Sequence, residues 1–485
     1  MKDVVSLHQI LMVFSKEIFE LFNKDITKYP TISSLAFAIY RSNFMESEDT
    51  KKIPLIYDNI YEDIKKSYHG GFVETYKPFS DNVYSYDIVS LYPSRMKNCP
   101  LPIGNPTYIG DNLNLDDFFG FFYAEIESPK SMRIPILQVN NNGNILTPLG
   151  KWSGWYFSEE LKNAKKYGYT VKIIKGWFFV KGYIFSDYID SLFSIKNSSV
   201  KNDPKYLISK LLMNSLYGRM GMSPFMENHE IIHKNEEKKY LSKKNIRITN
   251  ILDFKNGYVL ISFESINKYQ ESSNRYNVSV PIAAAISSWS RIKMSHFLNK
   301  YSNNILCVDT DGIKVNCELS GIDVGDNLGD MKYEFKFKEF VSLAPKVYGG
   351  LIEGEEEIVK IKGLKNPLPY FELKSLLKKD SKLVLPNEKW YRHLDNGYIQ
   401  IKNETYTLMI TENKREIIYN DNNLFIDTKP FVINDNFIVK GKMLDLIVYE
   451  NNKNLIPFQF DNIHKNIDNI EKFRLSGKIL KKIFE

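Results

Sequence analysis

The sequence predicts an α+β fold organised around an antiparallel sheet, and three stretches carry that expectation. Asp309-Thr310-Asp311 lies between the strand-like runs Asn304–Val308 and Gly312–Val315, so two carboxylates sit at a hairpin tip. More than 200 residues earlier, Tyr84 to Ser94 runs a β-type stretch into Asp87 and then a turn. Between them, Lys210 to Gly218 follows Asp203-Pro204, a helix N-cap and first turn. Carboxylates held at fixed strand ends present hard oxygen ligands of the kind that Mg²⁺ requires.

Each remaining element follows from local pattern. Asp3 to Phe22 places Leu7, Leu11, Phe14, Ile18 and Phe22 at helical spacing and reads as an amphipathic packing helix. Tyr68-His69-Gly70-Gly71 is a glycine turn with a flanking aromatic, suited to close approach of a phosphate backbone. Asn140 to Asn144 is turn-forming, and the next helix is expected to be capped by Ser158 and closed by Gly168. On the helix after Asp203, residues Lys210, Asn214 and Tyr217 fall at i, i+4 and i+7 and share one face. The charge run from Lys234 to Lys244 reads as a solvated loop. Ser279 to Lys300 is a largely apolar helix bearing Trp289 and Arg291, and it leads straight into the Asp309 strand.

Bulk properties narrow the class. At 485 residues the chain exceeds a single core, so two or more domains are expected. A 43% hydrophobic and 25% charged composition is that of an ordinary globular protein. The formal net charge of +7 is modest and compatible with a polyanionic partner. Cys99, Cys307 and Cys317 neither form a disulfide framework nor show zinc-ligand spacing. No apolar run approaches the ~18 residues of a membrane span, and no secretory or Arg-rich presequence is visible.

In combination the pieces say more. Asp87-x-x-Ser-Leu-Tyr-Pro-Ser, Lys210-x-x-x-Asn-Ser-x-Tyr-Gly and Asp309-Thr-Asp311 resemble motifs A, B and C of family B DNA polymerases, in the same order. Lys346-Val347-Tyr348 resembles their Lys-x-Tyr motif, and Tyr68-His69-Gly70-Gly71 the Tyr-x-Gly-Gly motif of the protein-primed branch, found in phages and in linear plasmids of fungal mitochondria. The resemblance implies a right-hand polymerase: a palm with an antiparallel sheet, helical fingers, a small thumb and two insertions. It divides the chain into an exonuclease remnant and linker (1–67), palm (68–99), first insertion (100–180), fingers (181–222), second insertion (223–278), palm (279–365), and thumb with C-terminal region (366–485).

The same resemblance assigns roles. Asp87 and Asp311 are expected to hold two Mg²⁺ ions, with Mn²⁺ able to replace them, helped by the Val89 carbonyl; Asp309 supports the site. Ser90, Leu91, Tyr92, Lys196, Lys210, Asn214 and Tyr217 are expected around the incoming nucleotide, with Tyr92 excluding a ribose 2′-hydroxyl and the lysines meeting the triphosphate. Tyr68, Gly70, Gly71, Ser215, Gly218, Arg291, Lys346 and Tyr348 are expected on DNA. Asp3 matches the tail of the third exonuclease motif, whose partner carboxylates are expected to be missing. Two positions depart from the pattern: Cys307 and Gly312 replace the usual Tyr and Ser around motif C, and Gly312 is expected to loosen the turn. The implied partners are a DNA template-primer, dNTPs and a terminal priming protein, in a mitochondrion or a phage-infected bacterium. A catalytically impaired DNA-binding remnant is the alternative, with a reverse transcriptase weaker because motif B has the family B form.

Overall fold

The computed structural model describes residues 2–45, 53–110, 114–224, 227–265, 278–353, 356–364, 368–393, 398–434 and 437–438. Its centre is a seven-stranded sheet in the order Val73–Thr75, Ile305–Asp309, Gly312–Val315, Phe79–Ile88, Met331–Ala344, Val347–Ile352, Glu357–Ile361. Every neighbouring pair is antiparallel. The order is not sequential: the 305–315 hairpin inserts between two strands that follow one another in the chain.

At the strand Ile305–Asp309 the sheet is covered on both faces, which is why Ile305 to Val308 read as a continuous apolar run rather than alternating. One face packs Ile88, Ile313, Val315 and Met331 under Met294, Phe297 and Leu298 of the helix Val280–Lys300. The other gathers Val83, Leu306, Cys307, Phe337 and Phe340. Cys307 is thus a core residue, with burial pushing its thiol up to about 12.

The helices Ile32–Ile39, Ser186–Ser198, Pro204–Met220 and Val280–Lys300 share the largest apolar cluster. Asp203 caps the third of them, its carboxylate accepting from the Lys205 amide at 2.8 Å, with Pro204 in the first turn as the sequence indicates. In the first helix, Lys2–Phe22, only the C-terminal end docks: Ile18 and Phe22 are buried, whereas Leu7 and Leu11 are exposed. Ser158 does not cap its helix. It is the first residue of Ser158–Lys166, and its hydroxyl accepts from the Gly120 amide instead, at 3.1 Å.

A second, six-stranded sheet runs Phe437–Ile438, Val432–Asn434, Leu149–Phe157, Gly120–Glu127, Thr170–Gly182, Leu101–Gly110. Residues 432–434, expected with the thumb, therefore return to the segment expected as the first insertion and pair in parallel with Leu149 and Gly150. Gly150 makes that joint possible: its φ is +107°, and a Cβ there would lie 1.8 Å from the Ile433 carbonyl oxygen. Three strands, Asn228–His233, Ile246–Asp253 and Tyr258–Ser265, form a small separate sheet. The charge run expected as a loop holds a short helix, Glu237–Leu241, on its exposed edge. Lys382–His393 and Tyr398–Met409 make a long, largely exposed hairpin. Among the described residues no helix is long and apolar enough to cross a membrane. Residues 439–485 of the expected thumb segment lie outside the described part.

Candidate active site

Register brings the acids together. Gly312 stands opposite Asp87 on the neighbouring strand and opposite Asp309 across the hairpin, so Asp311 is held beside Asp87. The Ile88 amide donates to the Asp311 carbonyl at 2.9 Å, locking the two strand ends. Gly312, expected to loosen the turn, is paired in the ladder and is not among the left-handed residues. The left-handed residue is Thr310, at φ 64°. A Cβ on Gly312 would approach Asp87 Oδ1 to 3.0 Å, so glycine leaves room for the carboxylate.

Burial pushes Asp87 up to about 7, reinforced by Asp311 and Glu334, while Lys314 and Lys210 oppose the rise. Asp311 is raised as well, again chiefly by burial and then by Asp309. Two half-buried, mutually repelling carboxylates form a donor set that fits hard divalent cations. Among the described residues no group of three or more acidic, His or Cys side chains has ligand geometry. Further oxygens would come from the main chain, from water or from phosphate. The Val89 carbonyl accepts from the Gly329 amide at 2.9 Å and keeps its second lone pair. Asp309 is engaged differently, paired with Lys346 at 2.5 Å. Lys346 itself adopts φ 62°, a strained backbone in a non-glycine residue.

The turn after Asp87 is tight. Ser90 is left-handed (φ 52°) and opens the helix Leu91–Asn98, its carbonyl accepting from the Ser94 amide at 2.9 Å. Leu91 is buried, while Tyr92 faces the Lys210 helix and stacks on Tyr217 with centroids 4.4 Å apart and planes 11° from parallel. The Tyr217 hydroxyl accepts from that of Tyr68 at 3.2 Å. Burial pushes Tyr92 up to about 12, so it stays a neutral phenol.

Lys196 reaches this turn from the helix Ser186–Ser198, its ammonium 3.5 Å from Ser90 Oγ. Its pKa is lowered, first by burial and then by Lys210 and Lys332. Lys210, Asn214 and Gly218 are exposed, with Ser215 half-buried. Tyr348 packs beside Phe340, centroids 5.8 Å apart. Asp3 is exposed in the first turn of the helix Lys2–Phe22.

Arg291 departs from expectation. Rather than lining a DNA surface, it is 1% exposed and forked onto Glu160 at 2.6 and 2.8 Å. Sequence reading also passed over Glu334, Lys332 and Lys314. Glu334 occupies a register shift between Tyr333 and Phe335, where strand periodicity gives no signal. Lys332 lies in register with Asp87 and pairs with Asp326 at 2.5 Å.

A family model for DNA polymerase type B, organellar and viral, matches residues 1–304. The chain belongs to the organellar and viral type B DNA polymerases. This type B polymerase is 44% identical over 419 residues to a probable DNA polymerase of Neurospora intermedia, covering 83% of this chain and 42% of that one. A probable DNA polymerase of Ascobolus immersus is 41% identical over 454 residues, 91% of this chain and 37% of its own. The chain therefore spans about two fifths of the length of these fungal relatives. The DNA polymerase of Bacillus phage phi29 is 25% identical over 346 residues, 63% of this chain and 54% of its own. The structure of phi29 DNA polymerase complexed with primer-template DNA and incoming nucleotide substrates superposes with a TM-score of 0.59 at 20% identity, covering 79% of this chain and 68% of that one. The fold of this type B polymerase is accordingly the right hand that its motifs predict. Its Asp309–Asp311 hairpin lies just past the matched residues, and the sheet register joins it to Asp87.

Proposed function

We propose that this chain performs template-directed DNA synthesis, transferring nucleotides from dNTPs to a primer 3′-hydroxyl. The observation that carries the reading is the pairing of Gly312 with Asp87, which sets two half-buried carboxylates side by side at the end of the central sheet. Two divalent cations there, Mg²⁺ or Mn²⁺, would lower the pKa of the attacking hydroxyl and neutralise charge on the leaving pyrophosphate. Asp87 and Asp311 would hold them, with the Val89 carbonyl in reach. Lys210, exposed on its helix face, and Lys196, beside Ser90, supply positive charge for the triphosphate; phosphoryl transfer is accelerated mainly by such positioning and charge stabilisation. Lys346 and Tyr348 would meet the primer backbone, a contact that positions without reading sequence. The kinship with fungal and phage polymerases and the Tyr68-His69-Gly70-Gly71 turn support initiation from a terminal protein on a linear DNA, in a mitochondrial setting.

Extension of a labelled primer on a defined template tests the reading. Purified protein with Mg²⁺ and dNTPs is expected to copy the template, and a folded protein that adds no nucleotide with Mg²⁺ or Mn²⁺ would sink the proposal in favour of an inert DNA-binding chain.

Sugar selection is assigned to Tyr92, whose ring is braced by its stack on Tyr217. Truncation to Ala is expected to raise ribonucleotide incorporation relative to dNTPs on the order of 10–100-fold, and Tyr92→Phe to leave it nearly unchanged, since the exclusion is steric. Equal discrimination by Tyr92→Ala and wild type in a competition assay would remove the assignment.

A further inference from the structure

We propose that the buried Arg291–Glu160 pair positions the glycine turn 69–71, and through it both the sugar-selecting tyrosine and the tip that carries the catalytic acids. The inference rests on the polymerase reading of the same site.

Arg291 uses its planar fork fully. Nε and Nη2 donate to the two Glu160 oxygens at 2.6 and 2.8 Å, and Nη2 also donates to Ser288 Oγ at 2.9 Å. Nη1 turns the other way and donates to the carbonyls of His69 at 2.7 Å and Gly70 at 3.1 Å. Capturing two successive carbonyls fixes the peptide planes of the turn. The ion pair and the turn belong to three separate parts of the chain: Glu160 to the first turn of the helix Ser158–Lys166, Arg291 to the helix Val280–Lys300, and the turn to the segment before the central sheet. Burial, then Arg291, holds His69 down at about 3, so its imidazole stays neutral beside the guanidinium.

The fixed turn then meets the active site directly. Gly71 lies against Thr310, where a Cβ would come within 2.9 Å of Thr310 Cγ2 and 3.1 Å of its Cα. The Thr310 amide donates to the Phe72 carbonyl at 2.7 Å. Thr310 is the left-handed, β-branched residue between Asp309 and Asp311, a conformation that persists only where its surroundings impose it. Tyr68, which leads into the turn, donates its hydroxyl to Tyr217, the ring on which Tyr92 stacks. The turn thus abuts the acid-bearing tip and, through Tyr68 and Tyr217, is linked to the ring assigned to sugar selection, and Arg291 holds that turn from behind. A lysine could keep the charge but could not fork onto Glu160 and two carbonyls at once.

The test separates positioning from mere stability. Replacing a buried ion pair by apolar residues of similar size is commonly neutral for folding. The double variant Arg291→Met/Glu160→Leu is therefore expected to melt within a few degrees of wild type. Its preference for dNTPs over ribonucleotides is expected to fall, and its dNTP KM to rise, on the order of 10–100-fold, as for a small misplacement of reacting groups. Arg291→Lys, which keeps the charge, provides the same readouts should the double variant fold poorly. Amide exchange at Gly71, Phe72 and Thr310 is measured alongside and is expected to quicken selectively in both variants. Unchanged selectivity together with unchanged exchange at Thr310 would overturn the proposal. A wild type without incorporation would instead remove the polymerase reading, and the exchange comparison would still decide whether the pair positions the turn.

Discussion

Replacing Asp311 or Asp87 by Asn is expected to abolish nucleotide addition while leaving the fold intact or firmer. Metal-assisted stabilisation of several kcal/mol, at ~1.4 kcal/mol per decade, corresponds to a rate loss of about 10³-fold or more, read by single-turnover primer extension. Stability should move the other way. Burial and Asp311 hold Asp87 up at about 7, so in the absence of cations its charged form is disfavoured by the folded state. Asn removes that repulsion. The linkage has a definite sign: the folded state binds the Asp87 proton more tightly than the unfolded chain, so with chelator present stability rises as pH falls from about 8 toward 5. Asp87→Asn should flatten this dependence in a thermal-melt series. Loss of activity with a lowered melting temperature at pH 7 would point to a structural carboxylate instead. Gain of stability with loss of turnover is the signature of a site that strains the fold for function.

The largest stability effect is expected at Arg415. It is 3% exposed and sits where the central sheet, the segment around Thr147 and the C-terminal strands converge. Its Nε donates to Thr428 Oγ1 at 2.9 Å and its Nη2 to the Arg133 carbonyl at 2.8 Å. Nη1 lies 3.5 Å from Glu74 Oε2, and the guanidinium covers the Tyr76 ring at 4.9 Å. Glu74 is equally buried, and Thr147 donates its hydroxyl to the other oxygen. Arg415→Ala would strand the Glu74 carboxylate inside the protein, at a cost of about 3–5 kcal/mol. Arg415→Met with Glu74→Leu should recover most of that loss, because neither buried charge of the pair is left behind without the other. Urea midpoints of the three proteins check the expectation, and an Arg415→Ala midpoint equal to wild type would refute it.

How far the sequence could be read follows from how local each signal is. The Asp203-Pro204 cap, the Asp309-Thr310-Asp311 hairpin and the strand ending at Asp87 are set by neighbouring residues, and the structure places each where the pattern puts it. Arg291 failed the same reading because a polar residue on a buried helix face can mark either a ligand contact or a buried ion pair, and its partner is 131 positions away. Glu334 was hidden because a register shift breaks the alternation that assigns strand faces. The return of residues 432–434 to the sheet at Leu149 was equally invisible: a three-residue strand carries no period, and only Gly150, needed for close approach, hinted at a neighbour. At Gly312 the space left by the missing side chain, which accommodates Asp87, could be seen only once the neighbouring strand was in place.

The order of strands in the central sheet also sets a timetable for synthesis. The Asp87 strand leaves the ribosome with neither lateral partner in existence, since Gly312–Val315 and Met331–Ala344 begin about 220 and 240 residues later. At ~5–20 residues per second that strand waits roughly 10–50 s with both edges open. Val83, Tyr86 and Ile88, fully covered in the finished protein, are uncovered meanwhile. An unpaired apolar strand is a template for association with other chains. Nascent chains stalled or truncated near residue 300 would therefore be adhesive as well as incomplete, and growth at lower translation rates would lengthen the interval in which a chaperone must shield them.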